Sequence, residues 1–196
     1  MLLLFLSINL IAQNEYSLRF AYGKLSTKNL GQIIFGNEQN YSPTLNVASL
    51  DGGYLIEHNL FNLPMDLYLK SGLSYFDEAG LKDDAYEFTL YIKVYYNFDF
   101  LDNRVRFGFG EGASYTTNLL YYEKTDAKDR HDHNSQGLNY LDISLDFDIG
   151  KLFKIEPLKG TYIGWALKHR SGVFGLIRNV KHGGSNYNTV YVEKTF

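Results

Sequence analysis

Apolar and polar residues alternate along most of this chain with a period of two. Between Tyr86 and Phe100 the residues Tyr86, Phe88, Leu90, Ile92, Val94, Tyr96, Phe98 and Phe100 fall on one face. Glu87, Thr89, Tyr91, Lys93, Tyr95, Asn97 and Asp99 fall on the other. Successive side chains of a strand point to opposite sides, so this run predicts a strand with one apolar and one polar face. Leu141, Ile143, Leu145, Phe147 and Ile149 alternate in the same way with Asp142, Ser144, Asp146 and Asp148. Further runs start at Tyr16, Leu67 and Val105, and weaker ones cover 45–54, 162–171 and 187–196. Together they predict eight strands with no helix between them.

The connections alternate in length. Residues 101–103 form a tight turn, and 58–64 and 150–160 are modest links. Residues 26–43, 116–137 and 172–186 are long and either polar or rich in glycine. Short turns at one end and long loops at the other, with an even strand number, predict an all-β, eight-stranded, antiparallel up-and-down transmembrane barrel. Its strands are long enough for a tilted crossing of a hydrocarbon layer. A soluble barrel of the lipocalin type would turn the apolar faces inward instead. The polar faces are too charged to coat an apolar ligand cavity. Their Arg19, Lys70, Lys93 and Arg104 can pair with Asp142, Asp146 and Glu87 across a lumen. Tyr and Phe at the strand ends fit an interfacial aromatic girdle.

The ends of the chain agree with export. Residues 1–12, MLLLFLSINLIA, are too short for a membrane-spanning helix and match the apolar core of a signal peptide. Residues 13–196 then form the outer-membrane barrel domain. Phe196 ends the last strand, and this resembles the terminal aromatic assembly signal of bacterial outer-membrane proteins. Lys194 stands where that signal usually has an apolar residue.

Composition narrows the chemistry. The 196 residues include 19 basic and 22 acidic ones, for a net charge of −3, so no positive excess exists for nucleic acid. The absence of cysteine removes disulfides, thiol catalysis and Cys-ligated metals. What remains is hydroxyl, imidazole and carboxylate chemistry, and one place concentrates it. In the strand Thr161 to Ser171, the residues Ile163, Trp165, Leu167, His169 and Ser171 share the apolar, lipid-facing side. Polar side chains on that side are costly and need a reason. Residues i and i+2 on one face are neighbours, so His169 can serve as general base to a Ser171 nucleophile.

His169-Arg170-Ser171-Gly172, at the outer end of the penultimate strand, resembles the His-x-Ser-Asn motif of the lipid A 3-O-deacylases of the PagL type. The resemblance covers the barrel plan of the whole mature chain, and its specific part spans about 165–186. It implies a serine esterase that removes an ester-linked acyl chain from lipid A in the outer leaflet. It implies lipopolysaccharide as substrate and the bacterial outer membrane as location, with no cofactor and no metal. The sequence departs from the family twice. The Asn after the serine is Gly172, and no Asp or Glu lies between Ser171 and Glu193. Glu193 is in lumen phase. Asn186 and Asn188 are in lipid phase on the strand that pairs with the His169 strand, so either can orient the imidazole, as Asn does in Cys-His-Asn enzymes. Gly172 or the backbone of Gly183-Gly184-Ser185 can supply oxyanion N–H groups. The catalytic set expected is therefore Ser171, His169, Asn186 and Asn188.

Other candidates are weaker. Glu111 is in phase with Val105, Phe107 and Phe109, but a bulge at Gly110 or Gly112 is expected to turn it inward. Asp129, His131, Asp132 and His133 read as a solvated outer loop rather than a metal site. His58 and His182 carry no pattern. The acyl position and the oligomeric state stay open. The rival reading is a non-enzymatic small outer-membrane barrel with a structural or loop-binding role.

Overall fold

The computed structural model describes residues 15–181 and 184–196, so the expected signal peptide lies outside the described residues. Eight strands close into one barrel: β1 (Tyr16–Ser26), β2 (Asn46–Glu57), β3 (Met65–Asp77), β4 (Ala85–Phe100), β5 (Asn103–Thr116), β6 (Gly137–Asp148), β7 (Thr161–Ser171) and β8 (Gly184–Thr195). Each pairs antiparallel with its sequence neighbours, and β8 closes on β1 through Ser17↔Thr195 to Ser26↔Asn186. Closure leaves no strand edge unpaired, which a hydrocarbon environment demands of any spanning sheet.

The alternation resolves inside out. Leu18, Phe20, Leu50, Leu73, Phe88, Leu90, Ile92, Phe107, Leu145 and Val190 point outward and are exposed. Arg19, Asp51, Lys70, Lys93, Asp142 and Glu193 point inward and are fully buried. A charged interior and an apolar wall suit a barrel solvated by lipid tails.

The luminal charges are paired. Asp142 accepts from Arg19 Nη2 at 2.7 Å and from the Lys93 ammonium, while Glu193 accepts from Lys70 Nζ at 2.7 Å. Asp146 accepts from Arg106 Nε at 2.9 Å, and Glu87 accepts from Arg170 Nη1 at 3.0 Å. The sequence reading placed Arg104 among the luminal cations. It sits instead at the turn end, bound to Asp99 at 2.7 Å and partly exposed, and the luminal cation of β5 is Arg106, two residues on. Arg104 keeps the inward phase but lies too near the strand end to reach the waist.

Apolar clusters close both ends. Leu25, Leu45, Val47, Phe76, Leu120 and Tyr187 pack at the loop end, and Leu55, Tyr68 and Tyr95 at the turn end. A void between Glu87, Tyr140, Lys168 and Arg170 measures only about 10 Å³. In a planar bilayer the folded protein should therefore add no unit conductance. Discrete current steps in such recordings would contradict a filled lumen.

The connections contain helices that strand periodicity did not predict: α1 (Leu30–Ile34), α2 (Tyr121–Asp129) and α3 (Ile149–Phe153). Asn29 and Gln32 form a capping box at α1. Asp148 caps α3 through Lys151 N–H at 3.0 Å, which takes Ile149 out of the strand that its periodicity had assigned it. Long-range contacts fix α2. Glu78 accepts from Tyr121 N–H at 2.7 Å, and Glu123 accepts from Arg170 Nε at 2.8 Å and Ser185 Oγ at 2.7 Å. Burial pushes the Glu78 carboxyl above the usual carboxylate range, against the opposing hydrogen bond from Tyr121 N–H.

Candidate functional site

His169 and Ser171 both lie outward of the barrel wall, because Lys168 and Arg170 on either side are turned into the lumen. The two ladders place partners by register. His169 stands opposite Leu141 of β6 and Asn186 of β8, and Ser171 opposite Asn139 and Gly184. Glu111 of β5 stands opposite Leu141. One rung across the outer face therefore reads Glu111, Leu141, His169, Asn186.

Asn186 Oδ1 lies 2.6 Å from His169 Nδ1. The amide orientation is fixed from its other side, since Asn186 Nδ2 donates to the Lys28 carbonyl at 2.9 Å. A carbonyl can only accept, so the nitrogen must face Lys28 and the oxygen must face the ring. The imidazole then carries its proton on Nδ1, which leaves Nε2 unprotonated. That is the state a general base needs.

Asn188 does something else. It sits opposite Leu167, and its Oδ1 accepts from Trp165 Nε1 at 3.2 Å. Of the two asparagines in lipid phase, the structure brings one to the imidazole and gives the other to the indole. Among the described residues no hydrogen bond joins Ser171 Oγ to His169. The two share a face, and such pairs often tighten only when substrate is bound.

Gly172 explains one departure from the family motif. A Cβ there would lie 2.1 Å from the Val180 carbonyl oxygen, where the loop after β7 folds back. That loop is folded by Gly175 and Ile177 N–H groups donating to the Gly172 carbonyl. No asparagine fits at this position. Gly183 lies outside the described residues, as does His182.

Glu111 corrects the bulge expectation. The β4–β5 and β5–β6 ladders run through it without a shift, and the side chain is exposed on the outer face. The neighbouring glycines serve close packing against β4. A Cβ on Gly110 would meet the Tyr91 ring at 3.0 Å, and one on Gly112 would meet the Leu90 carbonyl oxygen at 2.2 Å. Of the two glycines that suggested a bulge, Gly110 admits the luminal Tyr91 ring and Gly112 the close approach of the β4 backbone.

Glu111, His169, Ser171 and Asn186 line an external groove of about 550 Å³, bounded by β5 to β8 and by the loops after β1, β5 and β7. Leu30, Leu141 and Phe174 supply apolar wall, and Lys28, Arg130 and Lys181 supply charge. Sequence reasoning missed these three cations and Leu30, because only the folded loops bring them to the groove. The 126–133 loop contains no cluster of metal-binding side chains among the described residues. Its Asp132 accepts instead from Lys181 N–H at 2.8 Å and from His133 N–H at 2.8 Å.

No family model matches the chain, and no curated protein matches it in sequence. Solved structures share its fold. The outer membrane enzyme PagL aligns with a TM-score of 0.60 and 11% identity, over 91% of this chain and 98% of its own. Neisserial surface protein A (NspA) aligns with a TM-score of 0.51 and 12% identity, over 93% of this chain and 97% of its own. At such identities the likeness is one of fold.

Proposed function

We propose that this chain is an outer-membrane esterase that removes an ester-linked acyl chain from lipid A in the outer leaflet. The observation that carries the reading is the outward His169, held by Asn186 with Nε2 unprotonated, beside an outward Ser171 on a wall otherwise made for lipid. In the reaction, Ser171 Oγ attacks the ester carbonyl carbon while Nε2 takes its proton. The tetrahedral intermediate collapses, the sugar–oxygen bond to the acyl carbon breaks, and Nε2–H protonates the departing alkoxide. Water then attacks the acyl-serine, again losing a proton to Nε2, and the fatty acid leaves as Ser171 recovers that proton. Backbone N–H groups at Gly172 or at the start of β8 are the donors assigned to the oxyanion. A site on the outside of the wall suits a substrate that never leaves the leaflet.

The test is mass spectrometry of lipid A from a Gram-negative host expressing the protein, beside the same host expressing Ser171→Ala. A species lighter by one acyl chain, present only with the intact serine, is expected. Unchanged lipid A from a barrel shown to be folded in the outer membrane would sink the esterase. It would leave a non-enzymatic barrel acting through structure or its loops.

A further inference from the structure

The groove beside Ser171 does not end at the wall. Above it lies a second cavity of about 430 Å³ between the loops after β5 and β7, lined by Arg130, His131, Asp132, His133, Asn179 and Lys181. Arg130 and Lys181 line both spaces, so the two are adjacent. The two loops are tied to each other by Lys181 N–H donating to Asp132.

The charges that line the two spaces are unequally engaged. Arg130 Nε is held by Asp126 at 2.8 Å, and that bond raises the guanidinium pKa further. Its two terminal nitrogens have no hydrogen-bond partner among the described residues. Lys28 and Lys181 make no ion pair among them either. Of the carboxylates, Asp126 is committed to Arg130, and Asp132 accepts from two backbone N–H groups. Glu111 lies lower, on the His169 rung. An arginine fork and two ammonium groups lining one groove are the donor set that phosphate oxygens bind.

The geometry points to a phosphate-binding subsite formed by Lys28, Arg130 and Lys181, which reads the phosphorylated head group of the lipid whose acyl ester lies at Ser171. This rests on the esterase reading for the place of the acyl chain, but its own content is recognition. The apolar part of the groove, with Leu141 and Phe174, takes the chain, and its charged side, where Arg130 and Lys181 border the loop cavity, takes the phosphorylated sugar. Cleavage and head-group recognition are thereby set side by side in one groove.

The test uses the full barrel carrying Ser171→Ala, so that binding is read without turnover. The probes are a diacylglucosamine 1-phosphate, its dephosphorylated form and inorganic phosphate. Binding is followed by the fluorescence of Trp165, the one tryptophan of the chain, which lies on the same strand face as His169. The phosphorylated lipid should bind about tenfold tighter or more than the dephosphorylated one, as charge-assisted hydrogen bonds imply. Combining Lys28→Gln, Arg130→Gln and Lys181→Gln should erase that preference and leave the affinity for the dephosphorylated lipid in place. Equal binding of the two lipids, or a preference that survives the triple substitution, would overturn the proposal. Inorganic phosphate binding as tightly as the lipid would overturn the head-group assignment. Separate assay of cleavage keeps the two readings apart. Selective binding without cleavage in the intact protein retains the subsite and removes the esterase, and cleavage indifferent to phosphate does the reverse.

Discussion

Asn186→Leu should lower the rate of ester cleavage by about 10²–10⁴-fold, the range seen when the residue orienting a catalytic imidazole is lost. Leucine has a similar size, is apolar and faces lipid here, so the barrel should tolerate it. What disappears is the acceptor 2.6 Å from Nδ1. The ring is then free to place its proton on Nε2, where it can no longer accept one from Ser171. Asn188→Leu should change the rate by no more than about threefold, because its partner is Trp165 and it touches no reacting group. Fatty-acid release from lipid A in mixed micelles measures both, with folding checked by heat-modifiable gel mobility. A second readout needs no turnover. Nitrogen NMR of labelled histidine should show His169 protonated at Nδ1 in the intact protein and a tautomer mixture in Asn186→Leu. An intact protein already showing a mixture would remove Asn186 from the orienting role.

Asp142→Leu should destabilise the barrel by about 3–5 kcal/mol, the cost of stranding buried charge when one partner is removed. Asp142 accepts from both terminal nitrogens of Arg19, at 3.2 and 2.7 Å, and from Lys93 and the Tyr140 hydroxyl. Arg19 would keep only Asp51 at 3.4 Å as a carboxylate contact. Lys93 would keep the face of Tyr95. Neither can move to water, since both are fully buried. The rim pair offers the contrast. Asp99 and Arg104 are bonded at 2.7 Å, yet both reach solvent, so Asp99→Ala should cost only about 0–1 kcal/mol. Urea unfolding in lipid vesicles, followed by Trp165 fluorescence, compares the two. Equal losses would mean that the lumen is wetter than its packing implies.

The strands were legible because barrel strands expose a binary choice at every residue, with hydrocarbon on one side and a charged lumen on the other. Which face points out was legible from Arg19, Lys70 and Lys93, which need partners that only a closed interior provides. Helix α2 was not legible. Residues 121–129 carry no apolar stripe, and the segment is held by Glu78 from one loop and Arg170 from the lumen. At the site, the phase of β7 and β8 was enough to put His169, Ser171 and Asn186 on one surface. It could not separate Asn186 from Asn188, because both share that phase and only register and the position of Trp165 divide them. Glu111 was misread because glycines beside a polar residue signal a bulge in sequence. Here Gly110 makes room for the Tyr91 ring and Gly112 for the Leu90 carbonyl of the neighbouring strand.

The group that fixes the Asn186 amide is the main-chain carbonyl of Lys28, on a loop some 158 residues away in sequence. Every amino acid carries that carbonyl, so no substitution at position 28 deletes it. Point mutation therefore reaches this part of the site only indirectly, by moving the loop, whereas a single protease cut near position 28 would release it. The imidazole's proton placement is robust to genetic drift at the anchoring position and sensitive to the integrity of an exposed loop. A cell that shaved its surface with a protease would adjust this site without touching the barrel.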